Sequence, residues 1–130
     1  MKIIPIKEES DVVRARVAAK EKARELGFGF VDQTRISTAV SELARNIFVY
    51  AGKGEVHIEE LKNPHIGIRI SFIDQGPGIA DVDMAMKDGW SSTNSMGKGL
   101  PGAKRLMSHM QIKSSPGDGT TVIIEKWLTA

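Results

Sequence analysis

Between residues 66 and 74 the chain alternates: Ile66, Ile68, Ile70 and Phe72 are separated by Gly67, Arg69 and Ser71, and the run ends at Asp74. A period of two puts the large apolar side chains on one face of a strand and the small or polar ones on the other. Two long segments with the other period precede it. Val12, Ala15, Ala19, Ala23 and Leu26 recur at helical spacing between a Ser10 N-cap and a Gly27 C-terminal stop, predicting a helix over 11–26. Ile36, Val40, Leu43 and Ile47, with Ala39 and Ala44, predict a second helix over 34–51, ending before Gly52.

The remaining elements are shorter. Ile3 to Ile6 reads as an edge strand, the one sheet position where Pro5 is tolerated. Val56 and Ile58 alternate with His57 and Glu59, and Asn63-Pro64 makes a turn into the strand that ends at Asp74. A helix is expected over 102–110, then strands near 111–115 and 121–127. Residues 79–96 have no clear periodicity and carry the polar run 91–95, which reads as a functional lid or a disordered stretch; Trp90 is expected to pack beneath it. This order of elements implies an α/β two-layer sandwich, with helices on one face of a mixed β-sheet.

Composition narrows the function classes. A chain of 130 residues is the size of one domain and can bury one core. Its net charge of +2 is too small for a nucleic-acid binder, and the bases between Arg14 and Arg24 are interrupted by Glu21, as on a solvated helix face. The absence of cysteine excludes disulfide and thiolate chemistry. No segment is long and apolar enough for a signal peptide or a membrane span, so the cytoplasm is the expected compartment.

Four short motifs carry the chemistry. Glu42 and Asn46 lie one turn apart, and at about 100° per residue both fall on the border of the second helix's apolar stripe, where pocket-lining residues belong. The Asn46 carbonyl is a hard oxygen donor suited to Mg²⁺, which takes one or two protein ligands beside substrate phosphates; a capping or buried asparagine is the plainer alternative. Glu42 can accept the proton of an attacking hydroxyl as a general base, or be an ordinary surface carboxylate. Asp74 enters Gln75-Gly76-Pro77-Gly78. An ionised carboxylate only accepts hydrogen bonds, so it favours the amino group of adenine over the carbonyl of guanine, with Gly76 and Gly78 allowing positive φ and close approach. An ordinary turn would use the same residues.

Gly97-Lys98-Gly99-Leu100-Pro101-Gly102 has the spacing of a dinucleotide-binding fingerprint, but no strand precedes it, and Asp118 lies in a turn where that reading needs an acid at a strand end. What survives is a glycine-rich entry into a helix, whose N–H groups attract phosphate, with Lys98 adding charge. Gly117-Asp118-Gly119-Thr120 reads first as a hairpin turn, with Thr120 or Thr121 within reach of a base. Taken in order, the four motifs describe a site for ATP.

In this order the motifs resemble the N box and glycine boxes of the GHKL superfamily, which includes gyrases, heat-shock chaperones, histidine kinases and mismatch-repair ATPases. Few residues follow Thr120 and no phosphoacceptor helices precede the first motif, so the chain is most similar to the small anti-sigma-factor serine/threonine kinases. Among these it looks like the switch kinases of the stressosome, through 41–46, 50–54, 74–78, 97–107 and Lys126-Trp127-Leu128. The resemblance implies a Bergerat-type fold in one domain over 1–130. It assigns Mg²⁺ to Asn46, the base to Glu42, adenine reading to Asp74, and the nucleotide cradle to Gly76, Gly78, Gly97, Lys98, Gly99, Leu100 and Gly102, with Thr120 beside the base. It also implies phosphate transfer from ATP to STAS-domain scaffold proteins, followed by activation of a metal-dependent protein phosphatase through direct binding, with no nucleic-acid or membrane partner. Related kinases often carry an arginine in the lid where this chain has Asn94, Ser95 and Met96, which leaves Lys98 the nearest cation for the γ-phosphate. Two other functions fit the same motifs: a non-catalytic nucleotide-dependent switch, and a detached histidine-kinase catalytic domain.

Overall fold

The computed structural model describes residues 1–76, 99–114, 117 and 119–128. Five strands, β1 (Lys2–Ile6), β2 (Gly54–Leu61), β3 (Gly67–Asp74), β4 (His109–Ser114) and β5 (Thr120–Trp127), form one sheet in the order β1-β2-β3-β5-β4. Among the described residues three helices, α1 (Glu9–Leu26), α2 (Phe30–Asn46) and α3 (Gly99–Leu106), accompany it, and α2 runs directly into a π-helical turn, Ile47–Ala51.

The expected two-layer sandwich is what forms, with one correction. The sheet is not mixed: all four pairings among the described residues are antiparallel. The reason lies in the connections. A single crossover helix returns the chain for a parallel strand, but here two helices separate β1 from β2, so the chain reverses once more. The strand that runs parallel to β3 is β4, and β5 lies between them.

The strand periodicity holds through its buried set. Ile68, Ile70 and Phe72 are buried, and they meet Val56, Ile58, Val122 and Ile124 from the neighbouring strands and the apolar helix stripes in one core. Ile66 falls before β3 and is exposed. All six stripe residues expected on α2 and its extension are buried, as are Val12, Ala15, Ala19 and Ala23 of α1, whose alanines let α1 and α2 pack closely. Pro5 sits on edge strand β1, as expected.

Element ends differ from expectation for identifiable reasons. Helix α1 starts at Glu9 with Glu8 at its cap, not Ser10, because the Asp11 carboxylate reaches back to accept the N–H groups of Lys7 (2.9 Å) and Glu8 (3.0 Å). It ends at Gly27, which adopts φ 101°. Helix α2 begins at Phe30, before Thr34, and its first residues are hidden from periodicity because Phe30 and Val31 face solvent. The Lys20 ammonium lies 5.3 Å from the Phe30 ring centre, a cation–π contact between the two helices. Helix α3 begins at Gly99, not Gly102, since the N–H that Pro101 lacks is one the first turn leaves unbonded anyway. It stops at Leu106, whose carbonyl accepts the Lys126 ammonium at 2.8 Å, and His109 already pairs with Glu125.

Candidate nucleotide and metal site

The site is built on one cross-strand row at the end of the sheet. Gly54 of β2 pairs with Asp74 of β3, Asp74 with Thr120 of β5, and Thr120 with Ser114 of β4. Residues opposite one another in neighbouring strands share a face. Two residues along, the row Val56, Phe72, Val122 and Ile112 is packed into the core, so Asp74, Thr120 and Ser114 also face the helix layer. Thr121, one residue on, belongs to the opposite face, which leaves Thr120 as the threonine of the site.

The π-helical turn is held against this row. A Cβ at Gly54 would lie 2.7 Å from the Ile47 side chain, and one at Gly76 would lie 2.7 Å from the Ala51 Cβ. Both glycines are therefore space requirements that let the turn after Asn46 settle onto the strand end at Asp74. Gly76 was expected to allow positive φ and close approach to the nucleotide; its φ is not positive, and the close approach the structure shows is with Ala51. Its N–H donates to Asp74 Oδ1 at 2.9 Å, which fixes the carboxylate and leaves the second oxygen as an acceptor.

Gly119 closes the row from the other side. The hairpin expected from the fourth motif forms, joining Ser114 to Thr120 across the turn. Gly119 has φ 76°, and a Cβ there would overlap the Asp74 backbone carbonyl, so only glycine fits. Ser114 Oγ donates to the Gly119 carbonyl at 3.0 Å and lies 2.8 Å from Thr120 Oγ1.

Asn46 and Glu42 stand on the border of α2, half-buried, as their spacing implied. Asn46 Oδ1 is buried and has no hydrogen-bond partner among the described residues. A buried orphan carbonyl costs free energy unless a ligand satisfies it. A capping asparagine would spend this oxygen on a backbone N–H, and among the described residues this one does not. An unpaired amide oxygen fits Mg²⁺, which needs few protein donors when phosphates supply the rest; among the described residues there is no cluster of three His, Cys, Asp or Glu side chains for a protein-only site. Glu42 is 34% exposed and lies 3.5 Å from Arg45, a loose pair that leaves it accessible.

Helix α3 packs on α2. Its first turn carries Gly99 and Gly102, and a Cβ at Gly102 would meet nothing, so that helix end is open. Leu100 is buried in the core, which leaves its backbone alone for any ligand. Gly78, Gly97, Lys98, Asp118 and the segment around Trp90 lie outside the described residues. The contact of Ser114 with Thr120 was not foreseen, because the register that sets the two opposite one another is revealed only by strand pairing.

The family profile described as histidine kinase-, DNA gyrase B- and HSP90-like ATPase matches residues 31–130. This chain belongs to that ATPase family. Within it, the chain falls in a serine/threonine-kinase branch: it is 49% identical over 126 residues to serine/threonine-protein kinase RsbT of Bacillus subtilis (strain 168), covering 96% of this chain and 95% of the relative. An anti-sigma F factor of Thermoanaerobacter sp. (strain X514) is 31% identical over 72% of this chain and 68% of its own length. Among solved structures, full-length ShkA in complex with AMPPNP matches with a TM-score of 0.63 at 19% identity, over 100% of this chain and 32% of ShkA. The catalytic domain of histidine kinase ThkA matches with a TM-score of 0.55 at 20% identity, over 98% of this chain and 96% of that one. At such identities the two structures speak for the fold, a GHKL ATPase layer pair. No described helix is long and apolar enough to cross a membrane.

Proposed function

We propose that this chain is a single-domain, ATP-dependent protein serine/threonine kinase of a cytoplasmic partner-switching system. Its acceptors are serine or threonine hydroxyls of STAS-domain scaffold proteins, and the released kinase activates a metal-dependent protein phosphatase by binding it. The observation that carries the reading is the buried Asn46 Oδ1, which has no hydrogen-bond partner among the described residues. The end-to-end similarity to a serine/threonine kinase supports the acceptor chemistry.

In this reading Asp74 and Thr120 face the adenine. Gly76, Gly78, Gly97, Gly99, Gly102 and the Leu100 backbone line the phosphates and ribose, and Lys98 offsets charge at the γ-phosphate. Asn46 holds Mg²⁺, which neutralises charge on the phosphate oxygens when bound with ATP. Glu42 accepts the proton of the acceptor hydroxyl as its oxygen bonds to the γ-phosphorus; the bond from that phosphorus to the bridging oxygen breaks, and ADP leaves. Such transfer depends on positioning and charge neutralisation, so a shallow site completed by the protein substrate suffices.

Incubation with γ-labelled ATP, Mg²⁺ and a STAS-domain protein tests this. Acid-stable label on the acceptor is expected. Nucleotide-dependent pull-down without covalent label would instead mean a non-catalytic switch, and acid-labile label a histidine kinase.

A further inference from the structure

We propose that Ala51 is a positioning residue: its methyl group, seated on Gly76, is the spacer that sets Asn46 relative to the segment holding the Asp74 carboxylate. The metal end and the base end of the nucleotide are then gripped at one fixed separation. The inference rests on the reading of Asn46 as the Mg²⁺ ligand and of Asp74 as the adenine reader, and it adds the residue that ties the two together.

Asn46 ends α2, and the chain continues without a break into the π-helical turn Ile47–Ala51. Single π-helical turns are rare and recur at functional sites. Two features anchor this one at its start. Ile47, the residue after Asn46, is buried in the core, and its carbonyl accepts the Gly52 N–H at 3.0 Å. That i→i+5 bond closes the turn, so a push on Ala51 is felt at Ile47 and Asn46. At the other end a Cβ on Gly76 would lie 2.7 Å from the Ala51 Cβ, 3.0 Å from its Cα and 3.1 Å from Asp74 Oδ1. Gly76 donates its N–H to that same carboxylate oxygen at 2.9 Å. Ala51 thus links the turn that carries Asn46 to the residue that fixes Asp74.

The gap at this contact holds one methyl group. The atoms nearest a second one are a Cβ and a backbone carbon, which have no rotamer to swing into. To reach ordinary contact at 3.4 Å the two would have to part by about 0.7 Å. Nothing among the described residues bonds Asn46 Oδ1, so the placement of the turn bears directly on where that oxygen points. Mg²⁺ demands near-ideal octahedral geometry with donors at about 2.0–2.1 Å. A displacement of this size is therefore felt at the metal more than at the base.

The test measures the affinity of the full chain for ATP in excess Mg²⁺ and in EDTA, by competition against a fluorescent nucleotide, and takes the ratio as the Mg²⁺ enhancement. The chains are wild type, G76A, A51G and the methyl swap A51G/G76A. G76A, with two methyls in the gap, is expected to lose roughly tenfold to a hundredfold of the enhancement, the range for residues that orient a metal ligand. A51G, with none, is expected to lose less. The swap returns one methyl to the gap and is expected to recover most of what G76A loses. Weaker folding or a poorer base contact lowers binding with and without Mg²⁺ alike, and leaves the ratio unmoved. G76A keeping the wild-type ratio, or the swap recovering nothing, would overturn the proposal while leaving the ATP site standing. If G76A folds poorly, A51G and the swap decide, and an unchanged enhancement in A51G overturns it equally. Failure of wild type to bind ATP would remove the ATP site, and binding without Mg²⁺ enhancement would remove the metal role of Asn46, each taking this inference with it.

Discussion

Asn46 Oδ1 is a buried acceptor with no partner among the described residues, and the free energy of satisfying it is available to a ligand. Asn46→Ala removes the acceptor and is expected to abolish the Mg²⁺-dependent part of ATP affinity while leaving the fold intact; calorimetric titrations with Mg²⁺ and with EDTA check this, and unchanged affinity would strip Asn46 of its ligand role. Glu42 is one helical turn earlier on the same border, loosely held by Arg45 at 3.5 Å. Glu42→Gln keeps the shape but cannot take a proton, so single-turnover phosphorylation should slow by roughly 10²–10⁴-fold with nucleotide affinity little changed. Full transfer activity in that variant would assign the proton elsewhere.

At the scale of elements, two ionic devices hold the helices to the sheet. Asp11 accepts backbone N–H bonds from Lys7 and Glu8, which hold its carboxyl below the ordinary value of 3.8; burial opposes them, and Arg14 assists. A carboxyl depressed in the folded state stabilises the fold above the unfolded value and loses that contribution as pH falls through the folded one. Asp11→Asn should therefore melt below wild type at neutral pH. The two melting curves should converge as the pH drops from about 4 into the acid range, followed by circular dichroism. Lys126, 12% exposed, caps α3 through Leu106 and approaches Asp32 of α2 at 3.8 Å. Lys126→Met strands a helix-end carbonyl and should cost about 1–3 kcal/mol. A lower urea midpoint at unchanged slope is the expected result.

At the scale of the whole molecule, two folding events bring the described parts of the first, second and fourth motifs together. The helix pair returns the chain so that the π-helical turn after Asn46 lies on Gly54 and Gly76, and the β4–β5 hairpin lays Gly119 and Thr120 beside Asp74. A ligand bound by all these segments stabilises the entire fold. ATP with Mg²⁺ at a hundredfold its dissociation constant should add about 2.7 kcal/mol to unfolding, and EDTA should cut that gain sharply. No shift of the melting temperature with MgATP would contradict a site shared between the layers.

The amphipathic stripes of α1 and α2 and the buried strand ending at Asp74 were legible because local periodicity reports which face is buried. The border placement of Glu42 and Asn46 followed from the same geometry. Other features were not legible, each because a distant contact decides it. The antiparallel sheet depends on how many helices intervene, the start of α2 is masked by solvent-facing Phe30 and Val31, and the cap of α1 depends on Asp11 reaching backward. Thus the sequence by itself determined the two layers, the placement of Glu42 and Asn46 on the helix border and the acid at the strand end, since these need only residues close along the chain. Tertiary structure alone decided that Asn46 Oδ1 is buried without a partner among the described residues, that Gly54, Gly76 and Gly119 are demanded by close approach, and that Ser114 stands beside Thr120. Those are properties of which segments touch, and contact between segments far apart in the chain is set by packing of the common core.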